Sequence, residues 1–290
     1  MDKIKILVAC HKPGAVYSDD VYTPIHVGRA VSPFKDVMGN MIGDDTGDNL
    51  SEKNPMYCEL TAQYWAWKNL KDVEYIGFCH YRRFFDFCIN AQNVDDVFRK
   101  KDVILLDYPE RSIIEKTLLR YVALEDVTIF LMVLKNKYPE YEQTTLDYLW
   151  GNQFYPNNML ICKKTLFDEY ARWIFDILIE CERYMKTSGY TRGMRTLAYL
   201  GEFFMPVYML HHHYRIKGVK RTESYGGKAV SQRLIGRYLL KMHESMAKHF
   251  NRKPKCFEDY YFSSVLTGLK ADGILDEMAC RFREKGAHCG

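Results

Sequence analysis

Long apolar runs are absent. The longest, Val127 to Leu134, stops at Lys135 and falls well short of the ~20 apolar residues that a membrane-spanning helix needs. Paired cysteines are absent too. The nine Cys are scattered with no Cys-x-x-Cys, so neither a zinc site nor a disulfide framework is indicated, and a reducing cytoplasm fits. There is no Gly-x-Gly-x-x-Gly and no Walker loop, which removes the usual support for dinucleotide and NTPase readings. Internal repeats and low-complexity segments are missing as well. The apolar core of Met1–Cys10 is too short for a signal peptide and reads as a first strand.

The 290 residues suffice for one large domain or one domain with an appendage, and 47% hydrophobic with 27% charged residues is the balance of a soluble globular chain. Net charge is only +4 but unevenly placed. Arg215 to Lys255 carries 12 Lys and Arg against Glu223 and Glu244, a balance of +10, which leaves −6 on the rest. That asymmetry points to an anionic surface as partner for the later part of the chain. Aromatic residues make up 14%, with 22 Tyr. Some aromatics line sugar or nucleotide clefts, but most serve the core.

The stretch Val73 to Phe87 organises the chain. Tyr75–Cys79 is short, apolar and rich in strand formers, so it reads as a buried strand. It ends at His80, followed by Tyr81, Arg82 and Arg83. Positive side chains at the carboxyl end of a strand stand at the rim where open α/β sheets bind ligands. Arg forks match phosphate oxygens, so a phosphate or diphosphate is the natural guest. The competing reading is a solvated loop with its aromatics in the core.

Around it the order is strand, helix, strand, helix, strand, which argues for an α/β sheet. Ile4–Cys10 leads into His11, Lys12, Pro13 and Gly14. Residues 15–54 read as loop, with turn formers and carboxylates dense at Gly43–Asn49. A calcium loop is a poor match, because the spacing is wrong and no Glu stands at the twelfth position. Asn54-Pro55 is expected to cap a helix in which Met56, Leu60, Tyr64 and Trp67 pack on the sheet; Trp65 and Trp67 read as packing. Val94–Lys100 is expected to be a short helix and Val103–Asp107 a strand. Ser112 with Glu115 has capping-box spacing and opens a helical insertion to about residue 150. Asn157–Cys162 reads as a strand, Leu166–Met185 as a helix, and Arg192–Leu210 as a helix until Pro206.

Glu202, among Leu200, Gly201, Phe203 and Phe204, must be paired or poised. Desolvation would raise its pKa, as suits a general base. A capping or Arg195-paired role is the structural alternative. The neighbouring His211, His212 and His213 cannot converge on one metal ion and read as a polar element end. Ser231–Phe250 has one apolar face and a basic one carrying Arg233, Arg237, Lys241 and Lys248. It is either docked on the main domain or lies on anionic lipid.

Several of these pieces stand in an order that resembles one family. They are Lys5–Lys12, Gly43–Asn49, Lys53-Asn54, Tyr57–Asn69, Tyr75–Phe85, Lys137-Tyr138-Pro139 and Asn158–Tyr170, spread over about residues 1–210. Together they resemble the bacterial glycosyltransferases of capsular-polysaccharide, exopolysaccharide and lipopolysaccharide loci, whose mark is a His-Tyr-Arg-Arg-Phe segment. The resemblance implies a GT-A-like α/β domain over residues 1–225, with a helical insertion at about 112–150 and a basic helical extension over 226–290 packed on it. It implies transfer of a sugar from a nucleotide diphosphate, UDP-linked by first expectation and with UDP-galactofuranose among the candidates. The acceptor would be a glycan or a lipid-linked oligosaccharide. The expected place is the cytoplasm, at the inner face of the bacterial inner membrane. In GT-A enzymes an Asp-x-Asp pair holds the metal on the diphosphate, but none occurs in this sequence. His80-Tyr81-Arg82-Arg83 takes that place.

On that resemblance His80, Tyr81, Arg82 and Arg83 would hold the leaving diphosphate, so a divalent metal is expected not to be essential. Any metal would fall to Asp44, Asp45 or Asp48. Cys10, His11, Lys12, Asp45, Thr46, Asn49 and Lys53 would hold the nucleoside and donor, and Asn157 and Asn158 a sugar. Glu202, with Asp48 as second choice, would be the base that deprotonates the acceptor hydroxyl. The other function classes are a nucleic-acid-binding module, disfavoured because the basic residues follow a helical face with an apolar back, and a non-catalytic scaffold.

Overall fold

The computed structural model describes residues 2–227 except 111 and 187, then 242, 245, 246 and 249–287. Seven strands form the main sheet: β1 (Asp2–Cys10), β2 (Tyr22–His26), β3 (Ile42–Gly43), β4 (Val73–His80), β6 (Val103–Leu106), β9 (Leu160–Lys163) and β10 (Ile216–Val219). Their order across it is β10-β6-β9-β4-β1-β2-β3. All neighbours are parallel except β9, which is antiparallel to both β4 and β6. Among the described residues two short antiparallel pairs complete the strands: β5 (Phe84–Phe85) with β11 (Arg221–Thr222), and β7 (Tyr108–Pro109) with β8 (Gln153–Phe154).

Alternation along the strands builds a core on each face of the sheet. Leu7, Ile76, Phe78, Leu105 and Leu160 face one core. Ile4, Ile6, Val8, Tyr75, Cys79, Ile104 and Ile161 face the other. The first is closed by α2 (Leu60–Asn69), α5 (Leu124–Lys137), α7 (Lys164–Glu182) and α9 (Thr196–His211), the second in part by α3 (Val94–Arg99). Gly77, central in β4, has no room for a side chain, since a Cβ there would lie 2.9 Å from Ile161 Cγ1 and 3.0 Å from Ile6 Cγ1.

Five local expectations are corrected. Residues 15–54 contain β2 and β3; Pro24 within β2 and the two-residue length of β3 hid both. The helix expected from Asn54 is two helices, α1 (Asn54–Tyr57) and α2, because Cys58 takes φ 47° between them. Asn54 does not cap; its Nδ2 donates to the Cys58 carbonyl at 2.7 Å. The Ser112 capping box does not form. In α4 (Ile114–Leu118), Ile113 is the N-cap with no side-chain bond, and Glu115 is buried, accepting from Tyr260 Oη at 3.2 Å. Pro206 lies inside α9 rather than ending it. Flanking side chains from Phe203 to Met209 are buried, so packing outweighs the one bond that Pro206 cannot give the Glu202 carbonyl four residues back.

The segment from 112 to 150, with α4, α5 and α6 (Glu142–Leu149), shares the large helical core rather than standing apart. Phe257, Tyr260, Val265, Leu269, Ile274 and Met278, from the C-terminal residues and the helices Ser263–Ala271 and Ile274–Ala287, join the same core. Lys135 pairs with Glu258 at 2.6 Å, and Arg281 with Glu180, across that contact. The basic helix expected over 231–250 lies for the most part outside the described residues. Among the described residues no helix is long and apolar enough to cross a membrane.

Candidate functional site

β1 and β4 are parallel neighbours with Ala9 opposite His80, so their carboxyl ends reach the same rim. β9 runs the other way, and Leu160 opposite Phe78 brings the residues before β9 to that rim as well. A cleft of about 490 Å³ opens there. His11, His80, Tyr81, Arg82, Arg83, Glu59 and Arg195 line it, with Cys58 and the short helix α8 (Thr191–Met194).

The segment after β4 is a tight turn. His80 and Arg83 exchange backbone bonds, His80 N–H to the Arg83 carbonyl at 3.2 Å and Arg83 N–H to the His80 carbonyl at 3.0 Å. Tyr81 and Arg82 therefore stand at the tip, and Arg82 lies over the Tyr81 ring at 4.8 Å. His80 Nε2 lies 2.8 Å from the Asn157 carbonyl. A carbonyl only accepts, so Nε2 is the donor in this bond. His11 packs edge-on to Tyr81 at 5.4 Å. Burial first, then the positive charge of Lys12, Arg195, Arg82 and His80, pushes the His11 pKa below the usual histidine value. Arg82, Arg83 and Arg195 line the cleft against one lining carboxylate, Glu59, a positive balance that suits an anion.

Glu59 is tied to a second carboxylate, Glu202. The positive φ at Cys58 breaks the chain between α1 and α2, and Glu59, at the N-terminus of α2, lines the cleft. Asn158 Nδ2 donates to Glu59 Oε1 at 2.8 Å, and the Asn157 N–H donates to Glu202 Oε1 at 2.8 Å. Both asparagines are left-handed, with φ 75° and 49°, a conformation Asn tolerates better than most residues. Gln63 Nε2 fixes the turn by donating to the Asn158 carbonyl at 2.8 Å. Glu202 reaches this place because α9 approaches α2 closely: a Cβ on Gly201 would lie 2.6 Å from Leu60 Cδ1. Burial above all, opposed by the Asn157 N–H and reinforced by Glu59, raises the Glu202 pKa to about 7. The Arg195 partnership considered for Glu202 is replaced by the Asn157 bond.

Several expected ligand residues stand elsewhere. Cys10 is buried with its Sγ on the Val8 carbonyl, and burial raises its thiol pKa to about 12. Lys12 is exposed beside His11. Asp44 is fully buried and accepts from the Gly28 N–H at 2.7 Å, the Arg29 N–H at 3.1 Å and Ser51 Oγ at 2.5 Å. Asp45 pairs with Lys35 at 3.2 Å and faces Arg29 at 3.8 Å. Asp48 accepts from Tyr64 Oη at 3.0 Å. Thr46 accepts from Trp65 Nε1 at 2.8 Å, Asn49 bonds its own loop, and Lys53 pairs with Glu182 at 2.7 Å. None of these lines the cleft. Loop 43–49 is a buttress: its carboxylates are used up by neighbouring backbone, hydroxyl and cationic groups. Among the described residues no three His, Cys, Asp or Glu side chains converge on one point.

The sequence reading missed Glu59 as a cleft residue, and it weighed Arg195 only as a partner for Glu202. The break at Cys58 that sets Glu59 on the cleft carries no local sequence signal. The histidine run is structural: His211 stacks on Tyr141 at 3.8 Å, and His212 Nε2 shares a hydrogen bond with Tyr141 Oη at 2.8 Å.

Residues 5–213 match the family described as a domain of unknown function, DUF4422. The chain belongs to that family. The match takes in the whole cleft wall of the DUF4422 chain, from Ala9 to Arg195. A solved structure, the bifunctional glycosyltransferase WbbM in its apo form, superposes with a TM-score of 0.68 and 25% sequence identity, over 80% of this chain and 47% of that one. The DUF4422 chain thus spans about half the length of that neighbour. Its fold is the GT-A-like α/β arrangement expected. No curated protein matched the chain.

Proposed function

We propose that the DUF4422 chain is a glycosyltransferase that moves a sugar from a nucleotide diphosphate, UDP-linked and with UDP-galactofuranose among the candidates, to a glycan or lipid-linked acceptor of bacterial surface-polysaccharide synthesis. One observation carries this reading: a cleft at the carboxyl rim of β1 and β4 lined by three guanidinium groups, two imidazoles and Glu59, with Glu202 behind the lining, tied through the Asn157-Asn158 turn to Glu59. The likeness to WbbM supports it.

In this mechanism Arg82, Arg83 and Arg195 bind the diphosphate and stabilise the charge that grows on it as the bond to the anomeric carbon breaks. Donors set in a fixed field do this without a metal, so activity is expected to persist in EDTA. Glu202, poised near neutrality, takes the acceptor hydroxyl proton as that oxygen attacks the anomeric carbon. Glu59 lines the cleft and repels charge on Glu202, which keeps the Glu202 carboxylate basic. The Asn157-Asn158 turn holds both carboxylates and His80 in register. Contact with an anionic membrane through the basic C-terminal part belongs to the same proposal.

The test is a thermal-shift screen of nucleotide sugars in EDTA. A true donor raises the melting temperature by mass action, by about 2.7 kcal/mol of stability at a hundredfold excess over Kd. Absence of any shift across UDP-, GDP-, dTDP- and CMP-sugars would refute the reading. Salt-sensitive binding to RNA alone would favour a nucleic-acid module instead.

A further inference from the structure

A second cleft, of about 560 Å³, lies on the far side of α8. Thr191, Met194 and Arg195 face the first cleft, whereas Tyr190, Arg192 and Gly193 face the second. A single helical turn therefore separates the two. Arg195 also begins the first turn of α9, where its carbonyl accepts from the Tyr199 N–H at 3.1 Å, and the Tyr199 ring lies 5.1 Å from that of Tyr121 in the second cleft.

The lining of this cleft has a definite chemical character. Tyr190 is 84% exposed and Tyr121 43% exposed, so two large aromatic surfaces are offered to solvent. Glu125 and Asp126 stand in the first turn of α5 and offer carboxylate oxygens as hydrogen-bond acceptors, with burial raising the Asp126 pKa to about 6. Thr196 Oγ1 already donates to Asp126 at 3.3 Å and fixes its position. Lys186 is paired with Asp272 at 2.8 Å, so Arg192 faces two carboxylates and the cleft has no surplus of positive charge. An anionic ligand is poorly served by such a lining. A neutral polyhydroxylated one is well served, because aromatic surfaces cover the apolar side of a sugar ring while carboxylates accept from its hydroxyls.

We propose that this second cleft binds the neutral glycan part of the acceptor, which crosses α8 to present its hydroxyl at the Glu59–Glu202 pair. The proposal rests on the glycosyltransferase reading. It adds the acceptor's location and its chemical class, a neutral oligosaccharide rather than a phosphate or a uronic acid.

Saturation-transfer NMR on the full chain tests it, with three probes: a panel of neutral hexose di- and trisaccharides, galacturonic acid oligomers, and inorganic phosphate. Binding of a neutral member through its ring C–H protons is expected. Its Kd should weaken about tenfold in Tyr190→Ala, the loss of one stacking contact. Tyr121→Ala should act in the same direction. Because Tyr190 is exposed, that substitution leaves the fold intact, as circular dichroism will show. Binding by the anionic probes only, no binding by any neutral sugar, or an unchanged Kd in both variants would overturn the proposal. Thermal stabilisation of the wild-type chain by a UDP-sugar is the separate arm. If that arm fails, the glycosyltransferase reading falls; if it succeeds while the sugar arm fails, only the acceptor cleft falls.

Discussion

Replacing Glu202 by Gln removes one negative charge and keeps one hydrogen bond, since the amide oxygen still accepts from the Asn157 N–H. Burial holds the wild-type pKa at about 7, above the ordinary glutamate value of 4.5. The folded state therefore keeps a proton that the unfolded chain gives up between pH 4.5 and 7, and wild-type stability falls as pH rises through that window. A tenfold change in proton affinity is worth about 1.36 kcal/mol, so the loss approaches about 3 kcal/mol by pH 8. Glu202→Gln has no such proton to lose. It should match the wild type near pH 4.5 and exceed it by up to about 3 kcal/mol at pH 8, as read by urea unfolding at both pH values. Transfer should move the other way. The base is active when deprotonated, so the wild-type rate should rise with pH through about 7, and the Gln variant should lose that limb with about 10²- to 10⁴-fold of rate. Equal pH slopes of stability in the two proteins, or full transfer activity in the variant, would refute the assignment of Glu202 as a buried base.

Other perturbations have equally definite outcomes. Arg82→Ala and Arg83→Ala should each weaken UDP binding about 10- to 100-fold by calorimetry, the range for one charge-assisted hydrogen bond. Gly201→Ala should lower stability by about 1–3 kcal/mol in denaturant unfolding, because the new methyl meets Leu60 in a packed interface. Asp44→Ala strips the acceptor from two backbone N–H groups and should cost about 2–5 kcal/mol of stability; an unchanged melting temperature would contradict its buttress role. Chelation by EDTA should leave transfer in place, whereas rescue only by manganese would contradict the cationic cleft.

Much of the sheet was legible because its strands are short apolar runs with clear ends: β1, β4 and β6 stand within two residues of where their composition puts them. β2 and β3 were hidden, since a five-residue strand containing Pro24 and a two-residue edge have no pattern of their own. The end of β4 could be placed at the sheet's rim because His80 and two Arg follow a buried strand, and all three line the cleft there. Loop 43–49 lies off that cleft. Carboxylates among turn formers look like ligands in sequence, yet Asp44 satisfies backbone N–H groups 15 and 16 residues away. Glu59 and Arg195 stayed hidden because their place depends on a positive φ at Cys58 and on the packing of α8, neither of which is encoded in a local pattern. Glu202 was conspicuous as a charge in an apolar helix, while its partner, the Asn157 backbone, could come only from the antiparallel insertion of β9.

The grip of the turn after β4 on a diphosphate is the central claim, and a crystal structure of the full chain with UDP in metal-free buffer tests it most directly. The expected result is diphosphate oxygens within about 3 Å of the Arg82 or Arg83 guanidinium nitrogens. A diphosphate bound away from the rim of β1 and β4, with those side chains turned to solvent, would contradict it.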